Sequence, residues 1–373
     1  MSSHRVHLVK GPAVVSLEGM CQVLGKDVAN SEVSVDVGKI LPFEISSDCK
    51  INIRGGESWL ASSSTAGTSI WREVIQKIFY EKVFLRTILI VGDRDTGKST
   101  LAVYIINEAL KNGFRPCVID ADIGQGDIAP PNAVGGAVIM AQITDLRDVN
   151  MQFFEFVGSI NPAGFEDVII NAIKNIINEI STLCNTCIIN TDGYIRNNGI
   201  DYKVRMAKEL RPDLIVCLGD VSVYDTFRVK YVSSPILYGK SPSNTIKSRI
   251  DRRQRRLNQF LRYVSESCRS KVTSKELKEI KFVYKRKMYC RVRIGKYGSL
   301  HLVNRNGSQI NGRKLVNMFV ALGSNKTILG FGIVLKVSRH RVYLKSDVSD
   351  FSEIYLSNSR ISEDNISEFR SVN

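Results

Sequence analysis

Short apolar runs closed by Gly or polar turns fill residues 1–70: VHLVKG, AVVSLEG, EVSVDVG and CKINIRGG. Alternation of this kind predicts strands, and residues 1–72 read as a β-rich N-terminal domain. WREVIQKIFYEKV then moves the apolar positions to helical spacing, at Trp71, Val74, Ile75, Ile78 and Phe79, and leads into the middle of the chain. From about 85 to 235 the pattern changes again. Continuous apolar segments (LRTILIVG, RPCVIDAD, FFEFVG, TCIIN, DLIVCLGD) alternate with longer helical stretches such as STLAVYIINEALKNG and FEDVIINAIKNIINEI. Strands that are apolar on both faces and separated by helices predict a parallel sheet covered on both sides. Residues 241–280, rich in Ser, Lys and Arg, read as an exposed helical segment. From about 281 the β spacing resumes in VYKRKMYCRVRIG, LVNMFVALG, TILGFGIVLKV and RVYLKS. The expected fold class is α/β: a central domain over 73–270 between residues 1–72 and a smaller, β-rich, basic C-terminal domain over 271–373.

Composition narrows the class further. With 43% hydrophobic and 24% charged residues in a chain of 373, wholesale disorder is excluded and two or three domains fit the length. No stretch approaches 18 consecutive apolar residues, and MSSHRVHLVKG lacks a signal-peptide core; a soluble, cytoplasmic protein with no membrane partner is expected. The charge is unevenly spread. The whole chain carries +15, yet residues 240–345 alone hold 27 basic and 4 acidic residues, a local +23 that leaves −8 elsewhere. Such asymmetry points to a polyanionic partner, nucleic acid first, with a solvated basic face as the plain alternative. Eight cysteines are scattered, several in apolar runs, and read as reduced core thiols; Cys184-Asn-Thr-Cys187 has neither a second pair nor a nearby His cluster to suggest a metal.

The chemistry centres on Gly92-Asp93-Arg94-Asp95-Thr96-Gly97-Lys98-Ser99-Thr100, a G-x-x-x-x-G-K-[ST] phosphate loop between a predicted strand and a predicted helix. Its glycines let backbone N–H groups wrap phosphates and the helix N-terminus adds positive potential. Lys98 reaches the β and γ phosphates of ATP or GTP, and Ser99 binds Mg²⁺. No Asn-Lys-x-Asp base reader marks a GTPase. No Glu follows the strand-end Asp, as a hydrolysing motor would need. Instead Asp120-Ala-Asp122 ends the second strand: Asp122 can take the proton of an acceptor hydroxyl while Asp120 helps hold the metal. A pair of capping aspartates is the structural alternative.

Several further runs resemble the Clp/Grc-type 5′-hydroxyl polynucleotide kinases. Asp120-Ala-Asp122-Ile-Gly124-Gln125-Gly-Asp-Ile-Ala-Pro-Pro131 resembles that family's second motif, and Gly158-Ser159-Ile-Asn-Pro162 its Gly-Ser-x-x-Pro segment. Asn190-Thr191-Asp192-Gly193-Tyr194 resembles its clasp, with Tyr194 where Trp is usual, and Thr96 stands where Val is common. Residues 249–256 fall where the family has an arginine-bearing lid, which the resemblance places at about 241–270. The resemblance implies a phosphate-loop kinase domain flanked by β domains. It also implies transfer of a γ-phosphate to the 5′-hydroxyl of RNA, with single-stranded DNA as a second acceptor and RNA-processing proteins as partners. Gln125, Thr191, Gly193 and Tyr194 would join Asp122 in holding the acceptor, Tyr194 by stacking on a base. In the lid, Arg249, Arg253 and Arg256 fall at i, i+4 and i+7, with Arg252 and Arg255 on neighbouring faces and Leu257, Phe260, Leu261 and Val264 on the apolar side. Arg252, Arg253 and Arg256 are the expected catalytic arginines, the alternative being a helix that only tracks RNA. The rival functions are a nucleotide-binding scaffold of an RNA-processing complex without useful turnover, and a nucleotide-hydrolysing assembly factor.

Overall fold

The structure is a computed structural model that describes residues 5–63, 68–79, 86–241, 248–263, 271–295, 299–362 and 365–368. Among these residues the chain forms three sheets and six α-helices. The first sheet is antiparallel and comprises β1 (Arg5–Glu18), β2 (Cys21–Val23), β3 (Lys26–Asp27), β4 (Glu32–Val35), β5 (Ile40–Ile45) and β6 (Lys50–Ala61). Its order is β3-β2-β5-β1-β4, with β6 also paired to β1. Strand alternation turns Val33 and Val35 inward and leaves Glu32 and Ser34 in solvent, so one face becomes a core wall. Cys21 and Cys49 form a disulfide with Cα atoms 6.3 Å apart, which corrects the expectation that all cysteines are reduced. A separation of 28 residues hid their pairing, since only the sheet brings them together. Cys117, Cys187 and Cys217 are buried thiols, Cys184 is half-buried and Cys290 is exposed; Cys268 lies outside the described residues.

Helix α1 (Thr68–Phe79) connects to the second sheet, built from β7 (Thr87–Gly92), α2 (Lys98–Lys111), β8 (Pro116–Ala121), β9 (Ala133–Val138), β10 (Phe153–Phe156), α3 (Glu166–Ile180), β11 (Thr186–Thr191), α4 (Gly199–Leu210), β12 (Leu214–Leu218), α5 (Val221–Lys230) and β13 (Ile236–Gly239). The order β10-β9-β8-β11-β7-β12-β13 is parallel from β8 to β13, while β9 and β10 are antiparallel. The expected all-parallel sheet is therefore corrected at one edge. Neither β9 nor β10 is reached through a crossover helix, the second connection holding only the 3₁₀ turn Leu146–Asp148, so the chain doubles back and pairs antiparallel. The β9 segment AVGGAV was not legible as a strand because Gly135 and Gly136 weaken the pattern. A Cβ on Gly135 would sit 2.6 Å from that of Ala129. Ile169, Ile173, Ile176 and Ile180 line the buried stripe of α3 at helical spacing.

Helix α6 (Arg249–Tyr263) leads to the third sheet: β14 (Val272–Glu276), β15 (Lys281–Tyr284), β16 (Lys287–Ile294), β17 (Leu300–Asn304), β18 (Gln309–Asn311), β19 (Met318–Ser324), β20 (Thr327–Val337), β21 (Arg341–Lys345), β22 (Glu353–Ser362) and β23 (Asn365–Glu368). The expected exposed helix over 241–280 is thus confined to 249–263 among the described residues, with β14 following. Residues 242–247 and 264–270 of the expected lid, Val264 included, lie outside them.

Two cores tie these parts together. Val15 and Phe43 of the first sheet share one cluster with Trp71, Val74, Ile88 and Leu101. Leu257 and Phe260 of α6 share another with Phe319, Phe331, Phe154 and Phe156. Among the described residues no helix is long and apolar enough to cross a membrane.

Candidate active site

The phosphate loop turns from β7 into α2 through two residues in the left-handed region, Asp95 (φ 59°) and Gly97 (φ 90°). Gly92 leaves room where a Cβ would lie 2.4 Å from the Leu218 carbonyl. Lys98, the first residue of α2, is buried and donates to the carbonyls of Gly92 (3.0 Å) and Asp93 (2.5 Å). It thereby closes the loop on itself. Burial pushes its ammonium down to about 8, while the Asp122 carboxylate pulls it back upward. Arg94 to Thr100 line a cavity of about 510 Å³ that opens over the C-terminal ends of the parallel strands.

Two strand ends deliver the acidic and amide groups. Asp120 closes β8 and is buried, accepting from the Asp127 N–H (2.6 Å) and from Asn190 Nδ2 (3.0 Å). Asn190, at the end of β11, also reaches Ser99 Oγ at 3.2 Å, so Ser99 and Asp120 are linked through one amide. Burial, then the Asp127 and Asp122 carboxylates, push Asp120 up to about 7. Asn190 Oδ1 is buried without a hydrogen-bond partner, an orphan acceptor on the residue that links the Ser99 hydroxyl to the Asp120 carboxylate. Asp122 lies in the cavity wall with Oδ1 accepting from the N–H groups of Gly124 (3.1 Å) and Gln125 (2.8 Å). Burial, then the nearby Asp192 carboxylate, raise it above the ordinary range.

The clasp is a tight turn held from inside. Asp192 accepts from the Tyr194 N–H (2.8 Å), from Lys203 Nζ (2.7 Å) and from the Tyr202 hydroxyl (3.3 Å). Lys203 has no exposed side-chain surface; burial lowers its pKa and Asp192 opposes the shift. A Cβ on Gly193 would approach the Arg94 backbone N at 2.7 Å, so glycine lets the turn close on the phosphate loop. Tyr194 is half-buried in the cavity wall, 6.4 Å from the Tyr202 ring. The Thr191 hydroxyl donates to the Ile90 carbonyl at 2.8 Å, which makes it a strap between β11 and β7 rather than a donor to the cavity.

The lid register differs from the expected one. Gln259 donates to the carbonyls of Asp127 and Ala129, and Phe260 is fully buried; together they set the rotation of α6. The cavity-facing side then carries Arg252, Arg255 and Arg256, while Arg253 is exposed and outside the cavity wall. The grouping of Arg249, Arg253 and Arg256 is thereby corrected, and the Arg249 side chain lies outside the described residues. Arg252 Nη1 pairs with Asp95 at 2.7 Å, Arg256 Nε donates to the Gly124 carbonyl at 3.1 Å, and Arg255 pairs with Asp127. Gln125 Nε2 donates to the Arg252 carbonyl at 3.2 Å. The lid is closed onto both the phosphate loop and the Asp122 loop.

Residues 92–266 match the P-loop domain of the mRNA cleavage and polyadenylation factor CLP1. Curated relatives that this chain is similar to include the polyribonucleotide 5′-hydroxyl-kinase of Pyrococcus horikoshii, 33% identical over 132 residues, and that of Pyrococcus furiosus, 31% identical over 178. The alignments cover 35% and 47% of this chain, and 37% and 50% of those relatives, so the chain spans half or less of their length. The polyribonucleotide 5′-hydroxyl-kinase Clp1 of Xenopus tropicalis is 26% identical over 149 residues, covering 37% of this chain and 34% of that relative. Among solved structures, wild-type Clp1p in complex with Pcf11p superposes with a TM-score of 0.64 over 96% of both chains at 15% identity, which shows a shared fold.

Sequence reasoning missed the contribution of the N-terminal sheet. Leu8, Ile40, Pro42 and Trp59, with Trp71 of α1, form the apolar end of the cavity, and Trp71 Nε1 is buried there without a partner. The available signal was that the chain has two tryptophans in all, both near the start of the central domain. Asp192 and Lys203 were missed as well, because an ion pair eleven residues apart becomes visible only once β11 and α4 are placed.

Proposed function

We propose that this protein transfers the γ-phosphate of ATP to the 5′-hydroxyl end of RNA. The reading is carried by the convergence in one cavity of a phosphate loop, the Asp122 carboxylate, an aromatic clasp and a lid of arginines. The residues fit a nucleoside triphosphate: Gly92 and Gly97 leave the cradle that a Cβ would fill or strain, and Trp59 and Trp71 line the same cavity with Leu8 and Pro42, apolar groups of the kind that pack on a base. They fit Mg²⁺ too, since Ser99, Asp120 and the orphan Asn190 oxygen are hard oxygen groups. Ser99 and Asp120 would hold that ion, which when bound neutralises charge between the β and γ phosphates.

Tyr194 stacks on the terminal base and sets the 5′-hydroxyl against Asp122. Asp122 takes the hydroxyl proton as that oxygen attacks the γ-phosphorus; the bond from phosphorus to the β–γ bridging oxygen breaks, leaving ADP and a 5′-phosphorylated RNA. Lys98 holds the phosphates through this displacement. Arg252 and Arg256 exchange Asp95 and the Gly124 carbonyl for phosphate oxygens and stabilise charge at the transferring group. In this reading the central sheet is a kinase domain between two β-rich units, and RNA-processing proteins are its partners.

The test is label transfer from γ-labelled ATP, or GTP, to 5′-hydroxyl RNA and DNA oligonucleotides. Labelled RNA that a 5′-phosphatase strips is the expected product. Nucleotide binding without transfer would leave the scaffold reading, and free phosphate without labelled oligonucleotide would leave the hydrolase.

A further inference from the structure

From residue 280 to 346 the chain has fifteen Lys or Arg and not one Asp or Glu. The register of the third sheet sorts these charges onto faces. Tyr355 pairs with Ala321, and Ala321 with Phe331, so these residues share the face that packs on Phe154, Phe156 and Leu257 of the central part. Val283 pairs with Tyr355 in parallel β15–β22, and Met288 with Val283, which carries the same face outward. The β-bulge between Tyr289 and Arg291 shifts the alternation by one residue, so Arg291 and Arg293 join this face opposite Val303 and His301. Without the bulge those arginines would point to the other side.

The face that docks on the central part therefore runs out beyond it over β15–β17. There it presents Lys281, Lys285, Met288, Arg291 and Arg293, all exposed, and none of these cations forms an ion pair among the described residues. The overhang begins beside the cavity. Lys285 Nζ sits 4.6 Å from the centroid of Phe165, whose N–H donates to the carbonyl of Pro162 at 2.8 Å, and Pro162 lines the same cavity as Tyr194.

We propose that this overhanging basic face binds the RNA chain 3′ of the acceptor nucleotide, an inference that rests on the kinase reading above. Charge complementarity and continuity with the acceptor site both select a phosphate backbone as the occupant. A row of cations on a twisted strand pair contacts phosphates without reading bases, so this surface supplies affinity for length and none for sequence.

The experiment replaces Lys285, Arg291 and Arg293 together by Gln and, in a second variant, keeps the charge with Lys285→Arg, Arg291→Lys and Arg293→Lys. Binding of a fluorescent 5′-hydroxyl RNA of about twenty nucleotides is followed by anisotropy across salt concentrations, beside steady-state transfer to that RNA and to a dinucleotide. The Gln variant is expected to bind the long RNA about tenfold more weakly near 0.1 M salt, with the log K against log salt slope reduced by about 2, or roughly 0.7 per lost phosphate contact. Its kcat and its dinucleotide KM stay at wild type, and the charge-keeping variant restores the slope. Long-RNA affinity and slope equal to wild type in the Gln variant overturn the proposal. A wild-type protein that binds the long RNA yet transfers nothing sinks the kinase reading instead, while the anisotropy still decides the surface.

Discussion

Asp122 and Lys98 line one cavity, and their environments make separable predictions for the proposed reaction. Asp122 touches the acceptor in the proposed reaction and donates nothing to the phosphate cradle. Asp122→Asn should therefore lower turnover by at least about 10²-fold while ATP affinity stays within a fewfold. A collapse of ATP affinity in an equilibrium titration would make Asp122 a phosphate-site residue. Lys98 carries a pH signature. Its ammonium is held down to about 8 by burial, so in the empty site it is charged below that pH and neutral above it. Phosphates favour the charged form, so ATP affinity should be level below about pH 8 and fall above it, by up to about tenfold per unit. Lys98→Arg stays charged and should remove that limb; an equally steep limb in the Arg variant would assign it elsewhere. At this scale the phosphate loop and Asp122 were legible because they are contiguous runs whose spacing encodes backbone shape. Lys203 was not, since its identity as a buried cation comes from Asp192, a partner on another element.

For the elements, α6 is the clearest case. Helical spacing was legible, but rotation about the axis depends on what the helix packs against, here Phe260 in the aromatic cluster and Gln259 on two carbonyls. The exposed Arg253 and the cavity-facing Arg252 and Arg256 should behave oppositely. Arg252→Ala or Arg256→Ala should lower kcat more than tenfold with little change in the salt dependence of RNA binding. Arg253→Ala should leave kcat near wild type. A tenfold kcat loss in Arg253→Ala alone would return the lid to the register first expected from the sequence. The same dependence on neighbours explains β9 and β10. A glycine-rich strand has little periodicity to read, and strand direction is set by the connection rather than by the residues of the strand.

At the scale of the whole molecule, the alternation of strand and helix made three regions legible, but the shared cores between them were not. Phe43 and Leu101 belong to one cluster, Phe260 and Phe331 to another. Exposing either cluster by detaching one region costs apolar burial on both sides, about 25 cal/mol per Å². Calorimetry should therefore show one cooperative transition; three resolvable ones would mean that these clusters contribute little to coupling. The placement of Trp59 and Trp71 has an optical consequence. These are the chain's two indoles and both stand in the cavity wall, so all of its tryptophan emission originates at the proposed nucleotide site. No distant fluorophore dilutes the signal, and the unlabelled protein carries its own spectroscopic gauge of what enters that recess.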